Sequence, residues 1–225
     1  MGEAIGQVLS FGVGVSLSPV PIIAVVLMLA TPRGRTNGPA FLAAWVAGLA
    51  VAGTAILLIS SGAGASDQGD PATWTSILKL VLGLLLLALA VKQWRGRPHG
   101  DAAPTLPTWM ASIDRFTPGR SVAMGVALSA INPKNLILIA GAAAAIAQTG
   151  ASTGDQAIAL AVFVVVGTLG PGAPVAIYFA MGDRAKEILD HLRGWMAREN
   201  TTIMALICLL IGAKLIGDAI SGLAG

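Results

Sequence analysis

The sequence predicts an all-α integral membrane protein with six transmembrane helices, arranged as two inverted three-helix repeats whose first helices are broken. Three observations predict this class. Of the 225 residues, 55% are hydrophobic and only 11% are charged, whereas a soluble domain carries about 25% charged residues. Six apolar segments are long enough to cross a bilayer core, which needs about 20 helical residues. The first and fourth of these segments contain prolines near their middle.

The predicted spans and repeats can be placed by residue number. The six spans cover residues 4–31, 38–61, 73–93, 119–148, 156–181 and 201–222. The domain organisation that follows is a first three-helix repeat at 1–94, a cytoplasmic linker at 95–118 and a second three-helix repeat at 119–225. The second repeat includes a charged segment at 183–198 whose apolar residues share one helical face. We expect this amphipathic segment to lie on the inner membrane surface, or alternatively to pack on the other cytoplasmic loop.

The basic residues predict the orientation of the spans, because cytoplasmic loops retain Lys and Arg. Eleven of the fourteen basic residues follow the first, third and fifth spans: Arg33, Arg35, Lys92, Arg95, Arg97, Arg115, Arg120, Arg184, Lys186, Arg193 and Arg198. The loops after the second and fourth spans carry Asp67, Asp70 and Asp155 instead. We therefore expect a multi-pass protein of the plasma membrane with both termini outside. This placement also accounts for the net charge of +3 without a nucleic-acid partner.

The first span is interrupted by the stretch "SLSPVPIIAV", residues 16–25, which contains Pro19 and Pro21. A proline inside a helix removes one backbone hydrogen bond and obstructs another carbonyl, at a cost of about 3 kcal/mol. Lipid offers no water to the freed carbonyl groups, so such a break is tolerated only beside protein or a polar cavity. The break therefore indicates a site inside the bundle.

The fourth span repeats this feature in the stretch "SAINPKNLIL", residues 129–138. Hydroxyl and amide side chains beside both breaks can satisfy some of the freed backbone groups. Two matched breaks in opposite halves fit the inverted-repeat transporters, whose broken helices meet near the midplane; the alternative is a pair of kinks that only shape packing. The predicted substrate-binding residues are Ser16, Ser18, Pro19, Pro21, Ser129, Asn132, Pro133, Lys134 and Asn135.

The fifth span contains the stretch "GTLGPGAPVAIYF". Gly170, Pro171, Gly172 and Pro174 are poor helix formers. We expect this stretch to bend or unwind near the membrane centre and to act as a hinge. Close packing of its small residues against a neighbouring helix is the alternative.

Three lysines fall within predicted spans. Lys79 and Lys214 lie near the outer ends, where snorkelling accounts for them. Lys134 lies near the middle of the fourth span, where an uncompensated charge costs at least about 2.5–3.5 kcal/mol. Apart from Asp218 near the end of the last span, no span contains an acidic residue. A buried lysine without a carboxylate either loses its proton or binds an anion from outside the protein. We favour a site that attracts an anionic group such as a phosphate, sulfate or carboxylate.

The same scarcity of acids argues against divalent metals, which prefer hard oxygen ligands. The single cysteine, Cys208, cannot form an internal disulfide or a paired redox centre. The sequence contains neither a nucleophile–base constellation nor a nucleotide-binding loop. We expect no enzymatic activity, no cofactor and no metal site.

The Ser-Pro-x-Pro and Asn-Pro-Lys-Asn stretches, together with "GTLGPGAPVAIYFAMG", resemble the GAP family, the peptidoglycolipid- or sulfolipid-addressing proteins of the lysine exporter superfamily. The resemblance covers all six spans and implies a six-span inverted-repeat fold that carries glycolipids or related envelope molecules across the plasma membrane. Its most specific motif positions are Ser18, Pro19, Pro21 and 132–135. Amino-acid and metal exporters of that superfamily tend to carry acidic residues in the membrane, which this chain lacks.

The sequence as a whole predicts a transporter or flippase for an anionic glycolipid or lipid-linked envelope precursor, with the lipid substrate and the membrane as its partners. One alternative is an exporter of a small soluble metabolite, amino acid or ion. Another is a non-transporting scaffold for envelope biosynthesis. Small-residue faces such as "AGAAAAIA", residues 140–147, would allow association into a homo-oligomer.

Overall fold

A computed structural model of the chain describes residues 2–63, 71–97 and 108–224. Asp67, Asp70 and residues 98–107 of the predicted linker at 95–118 lie outside these residues. Every regular element in the described part is helical. The helices are α1 (Gly2–Ser16), α2 (Pro19–Leu29), α3 (Gly34–Ala63), α4 (Pro71–Arg95), α5 (Pro118–Val126), α6 (Pro133–Gln148), α7 (Thr153–Met181) and α8 (Ala185–Ala224). Short 3₁₀ turns at Thr108–Arg115 and Gly182–Arg184 precede α5 and α8, and a π-turn at Ala127–Ile131 follows α5.

Four helices are long and apolar enough to cross a membrane, and two bent pairs bring the number up to six. The single helices are α3, α4, α7 and α8. The bent pairs are α1 with α2, at 53°, and α5 with α6, at 56°. The predicted first and fourth spans are therefore the two that contain a break.

Each break is the beginning of a new helix. Ser18 and Asn132 have extended backbone and occupy the position before the first helical residue of α2 and α6. Pro19 and Pro133 follow as the first helical residues, where the fixed φ of proline suits a helix and its missing N–H costs nothing. The Ser-Pro and Asn-Pro pairs thus direct the chain to stop one helix and start another.

The sequence suggested that the amphipathic segment at 183–198 lies on the membrane surface, but it does not form a separate helix. It is the first part of α8, which runs for 40 residues without interruption. At about 1.5 Å per residue such a helix is about 60 Å long, about twice the hydrocarbon thickness. Ala185, Leu189 and Met196 are buried, so the apolar face of this extension packs against the protein.

Each half-helix of a broken span packs on an unbroken helix of the other half of the chain. Half-helix α1 packs on α7, and α5 packs on α3. Half-helix α2 packs on α8, and α6 packs on α4. Helix α6 also packs on α1 and α3, α3 packs on α7, and α4 with α8 forms the most extensive contact in the bundle. Each broken helix is therefore held by the unbroken helices of the opposite half.

The small-residue face at 140–147 is used inside the chain. Gly141 lies directly against the ring of Phe11, and Ala142 to Ala145 are almost fully buried. This stretch brings α6 close to α1, so it does not offer the free surface for self-association that the sequence suggested.

Candidate functional site

The two helix breaks meet at Lys134. Its Nζ atom donates hydrogen bonds to the carbonyl oxygen of Gly14 at 2.8 Å and to Ser18 Oγ at 2.6 Å. Ser18 Oγ in turn donates to the carbonyl oxygen of Val15 at 2.7 Å. The ammonium group of α6 therefore holds the carbonyl end of α1 and the residue that starts α2.

Lys134 is a deeply buried cation whose described partners are all neutral. Its side chain belongs to a residue that is only 3% exposed. Among the residues that the structure describes, no ion pair involves it, and its hydrogen-bond acceptors are a carbonyl and a hydroxyl. These neutral oxygens accept from two of the three N–H groups and leave the positive charge uncompensated. An anionic oxygen would bind the same N–H groups more strongly.

The residues next to Lys134 in the sequence fix the position of its backbone. Asn132 Oδ1 accepts from the backbone N–H of Lys134 at 3.0 Å, which caps the start of α6. Asn135 Nδ2 donates to the carbonyl oxygen of Leu128 at 2.8 Å, inside the π-turn. Asn135 is fully buried and its Oδ1 has no hydrogen-bond partner in the described structure. The amide oxygen of Asn135 is thus an available acceptor one residue from the buried ammonium group.

Ser16 and Ser129, also predicted as site residues, have other tasks. Ser16 Oγ accepts from the backbone N–H of Gly170 at 2.8 Å. Ser129 Oγ donates to the carbonyl oxygen of Val126 at 3.3 Å and lies against Gly48. The first joins the break to α7, and the second stabilises the π-turn. Neither contacts Lys134 through a hydrogen bond.

The predicted proline residues divide between interior and surface. Pro19 and Pro21 are buried, whereas Pro133 is exposed. The first two pack α2 into the core, and Pro133 faces outward beside α4. Lys134 therefore joins the two breaks on the inner side of α6, and Pro133 lies at the surface on its outer side.

An apolar groove of about 490 Å³ lies on that outward side, between α4 and α6. Leu85 and Ala88 line it from α4, and Pro133 and Leu136 line it from α6. Because all four are exposed, the groove opens sideways at the surface of the bundle. Lys92, at the end of α4 that carries the basic residues, is its one charged lining residue.

Helix α7 does not unwind at its glycine–proline stretch, and the expectation that it would leave the helix is wrong. Pro171 and Pro174 lie inside one continuous helix. Pro171 cannot donate to the carbonyl of Gly167, four residues earlier. The indole Nε1 of the fully buried Trp45 donates to that carbonyl at 3.3 Å instead. The hinge role of 170–174 stays a prediction.

Sequence reasoning missed Trp45 and Gly14 as parts of this centre. A buried tryptophan needs an acceptor for its N–H group, and a proline in a span leaves a carbonyl without a donor. Those two needs, read together, could have paired Trp45 with the residue four before Pro171. The contact of Gly14 with Lys134 had no comparable signal, because a backbone carbonyl can come from any residue.

The pairing of Trp45 with Gly167 can be tested by a double-mutant cycle. Trp45→Phe should lower the free energy of unfolding by about 1–3 kcal/mol, because a buried carbonyl loses its donor. Pro171→Ala restores a backbone N–H to the same carbonyl. In the Pro171→Ala background the cost of Trp45→Phe should therefore shrink, as measured by denaturant titration in detergent. Equal costs in both backgrounds would show that the indole does not serve this carbonyl.

Two broken helices joined through one buried lysine, within a bundle of apolar helices, define a multi-pass helical membrane protein with an interrupted centre. The chain belongs to the family described as Sap, sulfolipid-1-addressing protein (SfLAP), which matches residues 8–221. This match confirms the resemblance drawn from the Ser-Pro-x-Pro and Asn-Pro-Lys-Asn stretches. No curated protein and no solved structure matches the chain.

Proposed function

We propose that this protein is a non-enzymatic transporter or flippase that moves an anionic glycolipid or lipid-linked envelope precursor across the plasma membrane. The observation that carries the proposal is the buried, uncompensated ammonium group of Lys134 at the meeting point of both helix breaks. A cation at that depth is costly. Keeping it there is reasonable if an anionic group supplies the missing charge during the transport cycle.

The bonds of Lys134 suggest how the substrate would change the conformation. An anionic headgroup oxygen would compete with the carbonyl of Gly14 and the hydroxyl of Ser18 for the ammonium N–H groups. The donor is already charged in the bonds to these neutral oxygens, and an anionic acceptor would add the attraction of opposite charges in a low-dielectric interior. Binding of the headgroup would therefore release α1 and α2 from α6 and favour a state in which the two breaks separate. The free acceptor Asn135 Oδ1 would suit a sugar hydroxyl beside the anion.

The sideways groove supports a lipid substrate over a small soluble one. A soluble metabolite would require an enclosed polar pocket, whereas the walls of this groove are apolar and exposed to lipid. An acyl chain fits such a surface, and Lys92 at the basic end would attract an anionic headgroup before it enters. The groove reaches Pro133, the residue next to Lys134, so the acyl chain would lie on the outward side of α6 while the headgroup reaches Lys134 on the inner side.

We infer that the two halves form an inverted repeat. The exchange of contacts, with α1 on α7 and α5 on α3, is the pattern expected if a pseudo-two-fold axis in the membrane plane relates the halves. Such an axis would make the site accessible from either side by the same motion. Bending of α7 at 170–174 would supply that motion, because the paired prolines weaken its backbone hydrogen bonding.

The proposal is tested by reconstitution. Purified protein is placed in liposomes that contain a sulfated glycolipid with a fluorescent label on its headgroup, and a membrane-impermeant reductant reports the fraction that has changed leaflet. We expect faster exchange than in protein-free liposomes. Reconstituted protein that moves no lipid would remove the transport proposal and favour a scaffold role.

A matched pair of variants locates the route of the acyl chain. Ala88→Trp should slow lipid exchange several-fold, because an indole would fill the groove between α4 and α6. Ala55→Trp adds the same bulk at another exposed position, on α3, and should exchange lipid like the unaltered protein. Equal rates in the two variants would exclude this groove as the path.

A further inference from the structure

A second polar cluster lies at the end of the bundle away from the basic loops. We define it by Ser76 and Lys79 on α4, Gln148 at the end of α6, and Lys214 and Asp218 on α8. Lys79 Nζ donates to Gln148 Oε1. Lys214 Nζ pairs with Asp218 Oδ2 at 2.6 Å.

Antiparallel packing of α4 against α8 brings these side chains together. Ser76 lies directly against Gly222, and Gly83 lies against Gly212 and Ile216. In this register Lys79 lies opposite the stretch of α8 that carries Lys214 and Asp218. A side chain at 222 would collide with the Ser76 hydroxyl, so the glycine permits this close approach.

The position of Lys79 near the end of its span suggested that its side chain snorkels to water, but it does not. It is only 3% exposed, and its described hydrogen-bond partner is the neutral amide of Gln148. The carboxylate of Asp218 pairs with Lys214. In the part of the chain that the structure describes, Lys79 is therefore a buried ammonium group without an ion pair.

The hydroxyl of Ser76 is the second, independent observation. Ser76 is fully buried, and its Oγ has no hydrogen-bond partner among the residues that the structure describes. It stands one helical turn from Lys79 on the same side of α4. Buried hydroxyl groups in native proteins are nearly always bonded. An unused donor beside an uncompensated cation is the combination that a tetrahedral oxyanion would satisfy.

We propose that Ser76, Lys79 and Lys214 form a second site, which binds a sulfate- or phosphate-type oxyanion at this end of the bundle. Lys79 and Lys214 supply the charge, and the Ser76 hydroxyl donates to one oxygen. Lys214 and Asp218 are partly exposed, with side-chain exposures of 34% and 30%, so an anion can reach the cluster from outside the bundle. The oxyanion is either free in solution or the headgroup of a lipid. The site is separate from Lys134 and does not require that the protein transport lipid.

Equilibrium binding of radiolabelled sulfate to the purified full chain tests this site. We expect saturable binding with one site per chain at this cluster, in addition to any sulfate held at Lys134. Lys79→Gln should weaken it about tenfold or more, and Ser76→Ala about threefold, as expected for loss of a charged and a neutral hydrogen bond. Lys186→Gln, at an exposed lysine near the other end of α8, removes the same formal charge and should bind like the unaltered protein.

Ser76→Ala keeps the test decisive if Lys79→Gln does not fold, because the Ser76 hydroxyl has no partner whose loss would destabilise the chain. A second arm uses nanodiscs of phosphatidylcholine with a sulfated galactolipid. Binding of the lipid without free sulfate assigns the site to a headgroup, and binding of both assigns it to the oxyanion itself. No saturable binding in either arm, or equal binding by the Ser76→Ala, Lys79→Gln and Lys186→Gln variants, would overturn the proposal.

This outcome is independent of the transport proposal. Lys134→Met leaves the second cluster intact, so sulfate binding at Ser76, Lys79 and Lys214 should be retained in this variant. Sulfate binding without lipid exchange would therefore count against transport alone, and lipid exchange without sulfate binding would count against this site alone.

Discussion

Lys134→Met should reduce lipid transport about 10- to 100-fold while the protein stays folded. Methionine has a similar length and no charge, so the variant keeps the packing of α6 and loses the group that would bind the anionic headgroup. A hydrogen bond to a charged group is worth about 1.5–3 kcal/mol, and each 1.4 kcal/mol is a factor of ten in binding. The reduction follows from that loss.

The expected stability of this variant is close to that of the unaltered protein. Removing a buried cation with neutral partners relieves its desolvation cost, which is at least about 2.5–3.5 kcal/mol at the centre of a span. Against this, the carbonyl of Gly14 loses its donor, at about 1–3 kcal/mol. The two effects nearly cancel. Replacement of buried charges by apolar groups of similar volume is often neutral or stabilising.

The measurement combines leaflet exchange of a labelled sulfated glycolipid with a thermal melt of the same preparation. Lys134→Ala is a useful second variant, because it also leaves a cavity and should lower stability by about 2–5 kcal/mol. A folded Lys134→Met protein that exchanges lipid at the normal rate would remove the role proposed for this lysine.

The second large effect is expected at Gly170. A Cβ atom there would collide with the backbone carbonyl of Ser16, which cannot move without disturbing the end of α1. The backbone N–H of Gly170 also donates to Ser16 Oγ at 2.8 Å. Gly170→Ala should therefore lower the free energy of unfolding by about 3 kcal/mol or more, the upper part of the range for overpacked cores.

Gly172→Ala is the matched control, two residues along the same helix. A Cβ atom there would touch only Thr168 and Leu42, at 3.8 and 3.9 Å. Alanine is the better helix former by about 1 kcal/mol, so this variant should be as stable as the unaltered protein or slightly more stable. Denaturant titration of both variants in detergent measures the difference. Similar stabilities would show that α1 and α7 do not approach each other as closely as the structure has them.

The same control examines the predicted hinge. If α7 bends at 170–174 during transport, Gly172→Ala should slow lipid exchange without loss of stability, because alanine stiffens the helix. Unchanged exchange would place the moving joint elsewhere.

Membrane class, span positions and both helix breaks were readable from the sequence for local reasons. Length and apolar composition define a span, and Ser-Pro and Asn-Pro are start signals for a helix. The deep position of Lys134 followed from its place in a span of known length. The absence of acidic residues from the middle of every span followed from their positions in the sequence.

The tertiary structure decided what those features contact. Lys134 could have turned towards water, a headgroup or the protein, and only the approach of α1 brings the carbonyl of Gly14 to it. At Pro171 in α7, the carbonyl of Gly167 receives its hydrogen bond from a donor 122 residues away, Trp45. The burial of Lys79 depends on Gln148 of another helix.

The sequence by itself therefore determined where the chain crosses the membrane, where its helices break and where its charges lie along the helices, because hydrophobic length, proline geometry and loop charge act over a few residues. Only the tertiary structure decided which partner each buried polar group has. Inside the bundle, the hydrogen-bond partner of a buried polar group is set by which helices pack against each other. Those helices are far apart in the sequence, so the residues around the group do not identify its partner.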